Sequence, residues 1–283
     1  MKNTLLTRYQ AEAQASLPEA QSLPFAVYHD EQVYSLEEQL IFGREWVFAC
    51  CEQKVVNSGD YFAFTLAGEA LVIIRGKDNE LRVLSNNCRH RGTPLMDEGY
   101  GSIKGLIICP YHAWAYDDEG SLKGAPFTGD IKLSKEKHCL PVFNLETWMG
   151  LVFINLSENP QPFSHRVEGL QEYLSIFEPQ RFTQSYIGGE ETWCSNWKLA
   201  MENAMESYHL FKVHENTLEQ TTPTRDAYYI AGSSEWSLTG GKMAQKTNKI
   251  MKWLAGDYPE AFDHYVLISL PPSFVGILTY ESF

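Results

Sequence analysis

A chain of 283 residues is long enough for two domains, each with its own core, and its 44% hydrophobic and 21% charged residues are a globular rather than a disordered balance. The formal net charge of -13 argues against a nucleic-acid or anionic-membrane partner, both of which favour a basic face. No run approaches eighteen apolar residues and the N-terminus lacks the sustained apolar core of a signal peptide, so the expectation is a cytoplasmic protein that spans no membrane.

Ser35-Leu-Glu-Glu38 has the form of a capping box, and Leu36, Leu40 and Ile41 follow at helical spacing, which predicts a short helix ending near Gly43. Cys50 and Cys51 follow the apolar Trp46-Val-Phe-Ala49 and read as buried thiols of a reducing compartment. With Cys139 and Cys194 they show no disulfide framework. Residues 61–66, 70–75 and 81–84 are short β-rich segments separated by turn signals, which predicts an antiparallel meander.

The meander leads into Cys88-Arg-His90 and, after eighteen intervening residues, Cys109-Pro-Tyr-His112. Two thiolates and two imidazoles in mixed short pairs suit a [2Fe-2S] cluster in which two His replace two Cys on one iron, a Rieske pattern. Cys88 and Cys109 would bind the first iron, His90 and His112 the second. A structural zinc site is the competing metal reading, but zinc fingers pair Cys with Cys and His with His. Four unrelated residues would require two mixed pairs to coincide by accident.

After the second loop, residues 113–116 and 121–123 read as strands around an Asp-Asp-Glu-Gly turn, and 148–156 reads as one strong final strand. The breakers at 157–162 place a boundary near 158, and Val167, Leu170, Leu174 and Phe177 predict an amphipathic helix beyond it. Residues 196–209 read as a helix without internal Gly or Pro, bringing Glu202, Glu206 and His209 near one face. His214 can join His209 on one metal if the helix ends or bends near residues 210–213. Two His and one carboxylate would then form the facial triad of non-heme Fe(II) oxygenases. A di-iron bundle shares the Glu-x-x-His spacing of Glu206 and His209 but needs a second such pair, which the sequence lacks. Through residues 218–260 the aromatics Tyr228, Tyr229, Trp236 and Trp253 are scattered, as core or as pocket lining. Residues 265–270 and 274–280 read as strands around Pro271-Pro272.

Together NNCRHRGTPL, ICPYHAWAYDDEG and NWKLAMENAMESYHLFKVH resemble the Rieske non-heme iron oxygenases, specifically the terminal-oxygenase α subunit of ring-hydroxylating and demethylating systems. The resemblance implies an α+β fold: an N-terminal helical segment over 1–43, a Rieske [2Fe-2S] β-sandwich domain over 44–158 and a helix-grip catalytic domain over 159–283. It implies that His209 and His214 bind mononuclear Fe(II), that O2 is co-substrate, and that an NAD(P)H-dependent reductase or ferredoxin supplies electrons. It also implies a head-to-tail homotrimer in which Glu206 bridges to the neighbouring subunit's counterpart of His112. Glu206 departs from the Asp of many aromatic-ring dioxygenases and is similar to the Glu of quaternary-amine oxygenases, a lean toward monooxygenation.

The family's third iron ligand is a carboxylate from a later helix. Asp226, Asp257, Asp263 and Glu281 do not sit in a counterpart of that motif, so the ligand is expected to be missing from this sequence and the catalytic domain to be C-terminally incomplete. The activity expected is hydroxylation or dealkylation of an organic substrate. The rival is a truncated, catalytically silent electron-transfer or assembly module.

Overall fold

The computed structural model describes residues 2–16, 18–129, 133–179, 182, 191–244 and 259–280. The chain forms two compact units, one built on Gln39–Gln161, the other on Met1–Glu38, Pro162–Thr183 and Ile187–Phe283. Among the described residues no helix is long and apolar enough to cross a membrane.

Helices α1 (Lys2–Gln14) and α2 (Glu31–Glu37) open the chain. Asp30, not Ser35, caps α2: its carboxylate accepts from the amides of Gln32 and Val33, so the first turn is closed before Ser35 is reached. A π turn, Glu38–Phe42, carries the helix to about its expected end.

The first unit is a β-sandwich. Strands β1 (Val47–Cys51), β2 (Asp60–Leu66), β3 (Glu69–Arg75), β4 (Leu81–Ser85) and β5 (Gly99–Ser102) belong to a seven-stranded sheet. Strands β6 (Ile107–Ile108), β7 (Ala115–Tyr116) and β8 (Leu122–Gly124) form a small second sheet, and a short α3 (Lys135–His138) follows. The expected meander is β2-β3-β4, with left-handed Ala67 and Gly68 turning the first hairpin. Residues 148–156 are not one strand. β9 (Val142–Trp148) and β10 (Leu151–Asn155) form a hairpin, because Met149 and Gly150 both take positive φ, +53° and +76°, as a two-residue type I′ turn requires. The full sheet order is β1-β10-β9-β4-β3-β2-β5.

β3 is buried on both faces and serves two cores at once. Leu71 and Ile73 pack with Cys50, Val83, Val152 and Ile154, while Val72 and Ile74 pack with Leu84, Cys88, Cys109, Trp114 and Tyr116. The period of two along a strand thus ties the sheet interior to the layer that carries the Cys/His loops.

In the second unit the predicted helix over 167–177 is broken. α4 (Phe163–Arg166), α5 (Gln171–Leu174) and a 3-10 turn (Ser175–Phe177) replace it, with Gly169 at φ +77° in the break. Leu170, Leu174 and Phe177 are nonetheless buried, so the apolar face was read correctly and its continuity was not. α6 (Trp197–Ala204) is capped by the Asn196 side chain on the Lys198 amide, and α7 (Leu210–Val213) and α8 (Leu218–Thr221) follow. An antiparallel sheet in the order β11 (Ala227–Ile230), β12 (Ser237–Lys242), β13 (His264–Leu270), β14 (Phe274–Leu278) completes the unit. Trp236 belongs to the core, its indole N–H donating to the Glu168 carbonyl at 2.9 Å; Trp253 lies outside the described residues.

A buried ion pair joins α2 to α6. The Lys198 ammonium lies 2.7 and 2.9 Å from the two Glu37 oxygens, both side chains 4% exposed. Trp197 also donates to Glu37 at 2.9 Å, and Tyr9 of α1 at 3.5 Å.

Candidate metal centres

The two loops bearing the Cys/His pairs are built on one backbone pattern. The Cys88 amide donates to the Thr93 carbonyl at 2.9 Å and the Cys88 carbonyl accepts from the Gly92 amide at 2.8 Å. Cys109 repeats this with Trp114 at 2.8 Å and Ala113 at 3.0 Å. In each loop the fourth residue after the Cys is left-handed, Gly92 at φ +70° and Ala113 at φ +56°. Asn86 fastens the first loop from below, its amide donating to the Met96 carbonyl and accepting from the Met96 N–H.

Both loops turn their donors to one place, thiols inward and imidazoles outward. Cys88 and Cys109 are 2% and 3% exposed, while His90 and His112 are exposed with ring centroids 4.7 Å apart. Burial pushes the Cys88 thiol up, so without a metal it is a neutral S–H. Partial desolvation, then the neighbouring His112 and Arg91, hold His90 below the ordinary imidazole value, in the neutral form that ligates metals.

Two residues that spacing alone did not reveal complete the site. Trp114 stacks on His90, centroids 5.0 Å apart and planes within 7°, and its other neighbour is His138 at 5.5 Å. The fully buried Tyr116 hydroxyl accepts from the Arg89 amide at 3.1 Å, which leaves its proton for the Cys88 sulfur 3.4 Å away. Burial and this sulfur push the phenol pKa up, so it remains a donor. Their signal in the sequence was the apolar strand over 113–116, which read as structure only.

In the second unit the helix over 196–209 stops five residues early. The Glu206 carboxylate accepts from the amides of Tyr208 and His209, starting a new turn in place of a continued α6. His209 and His214 therefore flank the one-turn α7, and their rings stand 5.3 Å apart. Glu206 also bonds the His209 Nδ1 at 2.5 Å, which leaves Nε2 for a metal and fixes the ring's orientation. Glu202 is drawn elsewhere, to the Tyr28 hydroxyl at 2.9 Å.

Beside Glu206 is a cavity of about 280 Å³ whose walls include Glu206, Ser207, Tyr208, Tyr228, Tyr229 and Thr239; among the described residues no Lys or Arg lines it. Among the described residues no group of three or more His, Cys, Asp or Glu converges on one point. At the first centre two irons would share four donors in pairs. At the second, Asp226 lies beside Arg225 and neither it nor Asp263 joins the two imidazoles, while Asp257 and Glu281 lie outside the described residues.

The sequence profile of the Rieske [2Fe-2S] domain matches residues 45–143, and that of the ring hydroxylating alpha subunit catalytic domain matches 190–263. The chain belongs to the Rieske oxygenase alpha-subunit family. It is 31% identical over 238 residues to the carnitine monooxygenase oxygenase subunit of Acinetobacter baumannii, covering 82% of this chain and 62% of that protein. To the glycine betaine monooxygenase oxygenase subunit of Pseudomonas aeruginosa it is 29% identical over 200 residues, 70% of this chain and 46% of that one. This Rieske oxygenase chain thus spans less than two thirds of the length of these relatives.

Among solved structures it is similar to the quaternary ammonium Rieske monooxygenase CntA in complex with L-carnitine, with a TM-score of 0.76 and 27% identity, covering 93% of this chain and 68% of that one. Naphthalene 1,2-dioxygenase from Rhodococcus sp. shares the fold at a TM-score of 0.79 and 23% identity, covering 98% of this chain and 68% of that one. A Rieske-type oxygenase fold carries a [2Fe-2S] cluster and a mononuclear iron that works with O2. The donor chemistry fits both: two buried thiols with two facing imidazoles, and two adjacent imidazoles, one with its Nδ1 held by a carboxylate.

Proposed function

We propose that this chain is the terminal-oxygenase component of a Rieske system that hydroxylates or dealkylates a small quaternary ammonium compound. Cys88, His90, Cys109 and His112 would hold the cluster, and His209 and His214 the mononuclear iron. When bound, the cluster stores and passes single electrons and the iron activates O2.

The observation that carries the reading is the wall shared by the second centre and the cavity. Glu206 orients His209 and also lines a cavity flanked by Tyr208, Tyr228 and Tyr229. A quaternary ammonium has no N–H to donate, so aromatic faces and a carboxylate are the groups that recognise it. Thiols buried under the loops exclude water from one side of the cluster site, while the His edge faces out among the exposed Ile108 and Tyr111, where a partner can dock. Assembly as a homotrimer, with Glu206 reaching the neighbouring subunit's cluster edge, is part of the proposal. One CntA structure is described in terms of inter-subunit electron transfer, which supports that part. So are a reductase or ferredoxin as electron donor, a cytoplasmic location in keeping with six cysteines that form no disulfide, and the division into segments 1–43, 44–158 and 159–283.

The test is iron and acid-labile sulfide per chain in anaerobically purified protein, with the reduced-state EPR spectrum. Three irons and two sulfides with a Rieske signal are expected, and His209→Ala should lose one iron and keep the signal. Loss of the cluster in that variant overturns the assignment. Two irons in the unaltered chain would favour the alternative, an electron-transfer or assembly module, which has in its favour that only two imidazoles converge among the described residues.

A further inference from the structure

Trp114 sits between two imidazoles. His90 stacks on it, centroids 5.0 Å apart and planes within 7°, and His138 of α3 meets it edge-on at 5.5 Å and 66°. Trp114 is 6% exposed and His138 half-buried, whereas His90 stands at the outer edge of the cluster site. The His138 Nδ1–H donates to the Ser134 carbonyl at 2.8 Å, which holds the ring against the indole. Aromatic contacts of this kind are worth about 0.5–1.5 kcal/mol, and a leucine at 138 would pack on Trp114 without needing a partner for a ring nitrogen. Packing alone does not call for an imidazole there.

The three rings form one continuous aromatic contact from a proposed iron ligand to α3, the one-turn helix between β8 and β9. Electron tunnelling weakens steeply across gaps, and rings in contact leave few. The segment is also basic: residues 132–138 hold Lys132, Lys135 and Lys137 against Glu136 alone, in a chain whose net charge is -13. Lys137 is exposed. The outer edge of His90 and His112 is assigned above to the neighbouring subunit, so an electron donor needs a second approach.

We propose that α3 is the electron entry face: an electron-donor protein with an acidic surface around its redox centre docks on α3, and His138 and Trp114 carry its electron to His90. The proposal rests on the assignment of Cys88, His90, Cys109 and His112 to the cluster. Each transfer moves one electron: the donor is oxidised, the cluster is reduced, and no bond is made or broken. Entry at α3 leaves the exposed His edge to the subunit that receives the electron.

The test is stopped-flow reduction of the cluster-loaded protein by a plant-type [2Fe-2S] ferredoxin, an acidic one-electron donor whose potential lies below that of a Rieske cluster. The photogenerated 5-deazariboflavin radical, small and neutral, is the control, because it needs no docking face. Lys135→Glu with Lys137→Glu should lower the second-order rate with ferredoxin about tenfold at low salt, and the deficit should vanish at about 1 M salt, where the screening length is roughly 3 Å. His138→Leu should keep the half-saturating ferredoxin concentration yet lose the larger part of the limiting rate, and His138→Phe, which restores a ring, should recover it. Every variant should keep the radical's rate, the EPR g values and the cluster potential. A charge variant as fast as the unaltered protein at low salt would overturn the docking face, and an unchanged limiting rate in His138→Leu would overturn the route. A shift in g values or potential in His138→Leu would make His138 a support for His90 and would overturn the route as well. Reduction of the unaltered protein by the radical but not by ferredoxin would overturn the acidic donor. If no Rieske spectrum forms, the four-ligand assignment falls and the entry route with it, which is read before any donor is added.

Discussion

Lys198→Met is the sharpest probe of what holds α6, the helix that leads into the Glu206 turn. The substitution keeps an unbranched apolar stem and deletes an ammonium that makes two hydrogen bonds to Glu37, in a pair of which each side chain is 4% exposed. Removing one partner of a buried pair strands the other charge, at about 3–5 kcal/mol. Trp197 still donates to Glu37 at 2.9 Å, which places the expected loss near the lower end, about 3 kcal/mol. For a unit of this size that is a fall in Tm of about 6–12 °C, taking roughly 2–4 °C per kcal/mol. Urea unfolding followed by far-UV circular dichroism measures it, and the visible absorption of the cluster reports the first unit separately. That second midpoint should not move. Lys198→Met with Glu37→Gln should recover to within about 1 kcal/mol of the unaltered protein, because no charge is then left buried. A single variant that loses less than about 1 kcal/mol, the worth of an exposed pair, would refute the reasoning, as would a double variant no better than the single.

Tyr116→Phe removes the hydroxyl 3.4 Å from the Cys88 sulfur. A donor to sulfur favours the more negative, reduced state, so the potential should fall by about 60 mV if the bond is worth about 1.4 kcal/mol more in that state; an EPR-monitored redox titration reads it. Ala113→Gly should stabilise the second loop by about 1 kcal/mol and Gly92→Ala should weaken the first by a similar amount, both positions being left-handed; thermal loss of the cluster spectrum ranks the three proteins. Glu206→Gln should retain iron yet lower turnover about 10–100-fold, measured as the rate of product formation with reductant in excess. In alkylation by iodoacetamide at pH 8, exposed Cys194 should react first and Cys50 should stay unmodified in the folded protein, since burial pushes the Cys50 thiol up to about 12. Peptide mapping gives the order.

The parts legible in the sequence are those that residue type and short spacing decide. The four residues proposed to hold the cluster come as mixed pairs that few other sites use, and the meander is punctuated by its own turn residues. The errors fall where one local preference overrode another. Met149 is apolar and carried the eye through a hairpin, yet its left-handed backbone makes the turn. Residues 205–209 hold no Gly or Pro to stop a helix, but the Glu206 side chain captures the amides that a continued helix would have used. Strands β11 and β12 were missed because Gly240 and Gly241 dilute the β signal, and those glycines make sense only against the tyrosine rings lying over them. Trp114 and Tyr116 take their places beside the Cys/His loops from neighbours distant in sequence, which spacing cannot convey.

The matched hydrogen bonding of the two Cys loops gives the first centre a pseudo-twofold character. One short hairpin is used twice, and the copies differ in that the His follows its Cys by two residues in one and by three in the other. Geometry is carried by the main chain and chemical identity by a few side chains, so the hairpin is a transplantable cassette. Two such segments grafted opposite one another onto an unrelated sandwich would carry the cradle with them, provided the host supplied an apolar floor for the thiols.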